Sequence, residues 1–123
     1  LDGGHNPAAG KAIAATLKNW PGDAIEKPLH LITGLINTKD PSGYLAPFKD
    51  HAETLTTVTI PGEEASISAE DLSKIAGELG FAARPAQSVS DAIDQIRAEE
   101  KVPARILICG SLYLAGIILK DNN

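Results

Sequence analysis

Residues 29–36 read Leu-His-Leu-Ile-Thr-Gly-Leu-Ile. The run is almost wholly leucine or β-branched, the composition of a strand buried on both faces, and such strands belong to parallel sheets covered by helices. Working outward, Thr54 to Ile60, TLTTVTI, has the composition of a second strand. Phe81 to Ala86 suits a short strand, and Arg105 to Cys109, RILIC, a further buried one. Helical patterns fill the intervals. Ala9, Ile13, Leu17 and Trp20 recur at helical spacing, with Pro7 at the favoured first position and Pro21-Gly22 as a stop. Asp40-Pro41 supplies a cap and a first-turn proline for a short helix carrying Tyr44, Leu45 and Phe48, whose regularity Pro47 limits. Ser68-Ala69-Glu70-Asp71 resembles a capping box with aspartate in place of glutamate; it leads Leu72, Ile75, Ala76 and Leu79, and Gly80 ends the helix. Ser88-Val89-Ser90-Asp91 caps another helix, with Val89, Ala92, Ile93 and Ile96 inward. The residues after Gly110-Ser111 are apolar on nearly every side and predict a buried or docked helix. Strands alternating with helices at this spacing predict an α/β fold, its sheet mostly parallel with right-handed crossovers and helices on both faces.

Composition narrows the function. A chain of 123 residues fits one domain able to bury a real core. The net charge is −5 and the 11 Lys and Arg are scattered, so the electrostatic footprint of a nucleic-acid binder is missing. Cys109 lies inside ILIC and reads as a small buried hydrophobe. No apolar stretch reaches a membrane span and no signal peptide is recognisable, which points to a cytoplasmic protein without a membrane partner. Three His without paired Cys or HxxxH spacing give no zinc ligand set, and His30 and His51 are assigned to packing or surface. The chain has no Met and opens at Leu1-Asp2 on a loop motif, which suggests a domain of a longer protein.

Ligands of open α/β sheets bind at the carboxyl ends of the strands, where three loops are expected on one edge: Asp2 to Pro7, Asn37 to Asp40, and Gly110-Ser111. The first, in LDGGHNPAAGKA, resembles a phosphate loop only superficially. Five residues separate Gly4 from Gly10, and Ala12 follows Lys11 where GxxxxGK[ST] puts a hydroxyl on Mg²⁺. Its glycines still allow close backbone approach, Asn6 caps a helix, and Asp2 and His5 can face one ligand. Gly110-Ser111 offers a hydroxyl and free N–H groups at the expected helix start, suited to a carboxylate or phosphate. Each loop also has a plain structural meaning: Asp2, His5 and Asn6 as a capped turn, Ser111 as an N-cap, Lys39-Asp40 as cap plus solvated charge.

Taken together, Leu-Asp-Gly-Gly-His-Asn-Pro before a helix, GLINTKDP after a strand and ICGSLYLAG near the C-terminus resemble the C-terminal domain of folylpolyglutamate synthase / dihydrofolate synthase, in the Mur ligase family. The resemblance runs in order through the whole chain. It implies a Rossmann-like sheet of about five to six strands and an ATP-dependent ligase adding L-glutamate to dihydropteroate or to the γ-carboxyl of a folate glutamyl chain. ATP with Mg²⁺ would phosphorylate the carboxylate, and the amine of glutamate would attack the acyl phosphate. The phosphate loop would belong to an N-terminal ATPase domain of the same polypeptide. Carried onto this chain, Asp2 and His5 would contact nucleotide or glutamate, with His5 the catalytic candidate; Asn6 would shape the helix start and Ser111 hold the glutamate carboxylate. Lys39 and Asp40 are secondary candidates. A family strand would end at Leu1, leaving this sheet one strand short or with an exposed edge. The alternatives are a peptidoglycan-type Mur ligase, against which ICGSLYLAG argues, and a free-standing Rossmann-type anion-binding module, disfavoured by the missing G-x-G-x-x-G.

Overall fold

The computed structural model describes residues 28–36, 40–99, 104–110 and 114–119, the last segment as backbone. The predicted helix from Pro7 to Trp20 and the strand expected to end at Leu1 lie outside these residues. Five strands, β1 (Leu29–Gly34), β2 (Thr54–Thr57), β3 (Ala83–Pro85), β4 (Ala104–Gly110) and β5 (Leu114–Leu119), form one sheet in the order β3-β2-β1-β4-β5. The first four are parallel, and β5 is antiparallel to β4. The mostly parallel α/β expectation stands.

Between them lie α1 (Pro41–Leu45) with a 3-10 turn (Ala46–Phe48), α2 (Ala69–Glu78) and α3 (Val89–Glu99). Alternation along the strands sends side chains to two faces, and each has its own core. Leu29, Leu31, Leu55, Leu107 and Cys109 pack with Tyr44, Leu45, Phe48, Leu72 and Ala76. Ile32, Val58, Ile106 and Ile108 pack with Ala92 and Ile96 of α3, and Val89 and Ile93 lie against this cluster. Helices thus cover both faces, which is why β1 and β4 are buried throughout.

The helix starts follow local chemistry. Asp40 Oδ1 accepts from Gly43 N–H at 2.8 Å, Ser68 Oγ from Asp71 N–H at 3.1 Å and Ser88 Oγ from Asp91 N–H at 3.0 Å. These bonds use donors that have no intrahelical partner. Gly80, at φ 100, supplies the left-handed residue just past α2. Pro47 falls where α1 gives way to the 3-10 turn. Strand β2 is shorter than the predicted Thr54 to Ile60, because the chain beyond Thr57 turns to build the entry to α2. There Ile60 N–H donates to Ser66 Oγ at 2.9 Å and Ala69 N–H to Thr59 Oγ1 at 2.8 Å.

One expectation is overturned. The apolar run after Gly110-Ser111 is not a helix: Leu114–Leu119 is strand β5, paired with β4 from Cys109↔Leu114 to Ala104↔Leu119. β4 is buried on both faces and bonded to β1 on one side only, so its other row of N–H and C=O groups needs a partner. An adjacent strand supplies that whole row. A helix would leave it unpaired, and Gly116 with Ile117-Ile118 suits a strand better than a helix.

Candidate functional site

The strand order reverses between β1 and β4: β2 and β3 lie to one side of β1, while β4 and β5 lie to the other. Ligands of open α/β sheets favour this position, outside the carboxyl ends of the strands. The β1–β4 register runs from Leu29↔Arg105 to Gly34↔Gly110, so both strands reach the same edge in step. Gly34 and Gly110 therefore end neighbouring strands at the same edge. Of the sequence-derived site residues only Asp40 is described; it is exposed, and its carboxylate caps α1 through Gly43. Asp2, His5, Asn6, Lys39 and Ser111 lie outside the described residues. Because Leu114–Leu119 is a strand and not the expected helix, it offers no helix N-terminus to an anion.

At the reversal point the backbones meet without side chains. A Cβ built on Gly110 would overlap the carbonyl oxygen of Gly34. The register is therefore compatible only with glycine at position 110. Sequence reasoning treated Gly110 as a turn residue and missed this relation; the available signal was a glycine near the end of each of two buried runs, ITGLI and ICGSL. Directly below the glycines, Thr33 and Cys109 are register partners, both fully buried. Burial pushes the Cys109 thiol up to about 11, with the hydroxyls of Tyr44 and Thr33 pulling weakly the other way. Cys109 is a neutral packing residue here.

A cleft of about 410 Å³ opens beyond β2 and β3 beside the first turns of α2 and α3. Thr59, Glu70, Gln87, Asp91 and Gln95 line it, so it offers two carboxylates and no basic group to a phosphate. Ser68 and Ser88 already cap the adjoining helices. Among the described residues no three His, Cys, Asp or Glu side chains gather to hold a metal ion, and no helix is long and apolar enough to cross a membrane. His30 is packed in the sheet, its Nδ1 2.8 Å from Thr54 Oγ1, whereas His51 is exposed.

Several solved structures are similar to this chain. The M. tuberculosis folylpolyglutamate synthase complexed with ADP superimposes with a TM-score of 0.66 at 28% identity, over 80% of this chain and 21% of that one. E. coli FolC in complex with ADP gives 0.70 at 26% identity, over 90% of this chain and 25% of that one. The bifunctional folylpolyglutamate synthase/dihydrofolate synthase from Yersinia pestis, at 24% identity, a TM-score of 0.69, and 90% of this chain against 25% of that one, supports the fold alone. The chain thus spans about a quarter of the length of these relatives. No curated protein sequence matches it. The family model described as dihydrofolate synthetase, C-terminal domain, matches residues 1–121, and the chain belongs to that family.

Proposed function

We propose that this chain is the C-terminal domain of a cytoplasmic ATP-dependent carboxylate–amine ligase that adds L-glutamate to dihydropteroate, to a folylpolyglutamate, or to both. The family match over residues 1–121 carries the reading. The ADP complexes of the M. tuberculosis and E. coli relatives support nucleotide use. The sequence has no GxxxxGK[ST], and ATP and Mg²⁺ are assigned mainly to an N-terminal ATPase domain of the same polypeptide. When bound there, they supply the activation of the acceptor carboxylate as an acyl phosphate.

This domain contributes from its carboxyl edge. Asp2 and His5 are assigned to nucleotide or glutamate across the interdomain cleft, His5 being the catalytic candidate, and Asn6 to shaping the helix start. Ser111 is assigned to the glutamate carboxylate through its hydroxyl alone, and Lys39 and Asp40 remain secondary candidates beside it. The test uses the full-length protein with ATP, Mg²⁺, L-glutamate and either dihydropteroate or a folate monoglutamate as acceptor. The expected products are ADP, phosphate and an acceptor heavier by one glutamyl residue in mass spectrometry. If neither acceptor gains glutamate, the reading is wrong.

A further inference from the structure

We draw no further inference here: the strongest candidate, the cleft beyond β2 and β3, rests on the acidic side chains of Glu70 and Asp91 beside the N-termini of α2 and α3, and the unpartnered Gln95 oxygen next to them belongs to a residue that is only partly buried, so no independent observation points to a ligand.

Discussion

The Thr57 hydroxyl, buried at the carboxyl end of β2, donates to the carbonyl of Ala69, the first residue of α2, at 2.6 Å. The Ala69 N–H in turn donates to Thr59 Oγ1 at 2.8 Å. Two threonines with one residue between them thus hold both backbone polar groups of Ala69 and set where α2 begins on the sheet. Thr57→Val keeps the shape but removes this bond and leaves the Ala69 carbonyl only its partner within the helix, at an expected cost of about 0.5–1.5 kcal/mol. Thr57→Ser should restore most of it. Chemical denaturation of the three proteins side by side checks this, and equal midpoints for the Thr and Val forms would refute it.

Cys109 should be silent toward a thiol reagent at neutral pH in the native protein and react fully once denatured. Its side chain is wholly buried and its thiol is pushed up to about 11 by burial, so both access and thiolate are lacking. The rate of modification then reports opening of β4 and should fall with added stability. Rapid labelling of folded protein would contradict this packing.

Arg84 on β3 meets Glu99 at the end of α3, with Nη1 and Oε2 2.5 Å apart. The hydrogen bond from Arg84 holds the Glu99 carboxyl below its ordinary value. A depressed carboxylate stabilises the fold above its unfolded pKa, and that contribution disappears as pH falls through the folded one. The Glu99 side chain is 57% exposed, so solvent screening limits the pair to less than about 1 kcal/mol. Glu99→Gln should therefore melt slightly lower than the parent at pH 7 and low salt. The difference should vanish below the carboxylate range and shrink in high salt. A gap in melting temperature that persists at acid pH would mean the glutamate acts by packing instead.

In the full-length enzyme, His5→Ala should lower kcat/KM for glutamate addition by roughly ten- to a thousandfold, the loss expected for one polar contact made in the transition state. Stability should barely change if the proposed contact of His5 is to ligand and not to the fold. A lost cooperative melt with intact specific activity would make His5 a structural residue.

Much of this protein is determined within short windows of its sequence. Burial on both faces is written into the composition of Leu29 to Ile36 and Arg105 to Cys109, and the capping side chains of Asp40, Ser68 and Ser88 act within three residues of themselves, so strands, helix starts and the parallel class were legible. The candidate site was legible only as loops at strand ends and as Asp40, whose cap the structure describes. Two matters needed the assembled sheet. Leu114 to Leu119 carries no usable periodicity, since an apolar run suits a buried helix as well as a strand; the unpaired edge of β4 makes it a strand. Gly110 looks like any turn glycine until the register sets it against Gly34, a residue distant in the chain, because steric exclusion between two backbones exists only once the strands lie side by side.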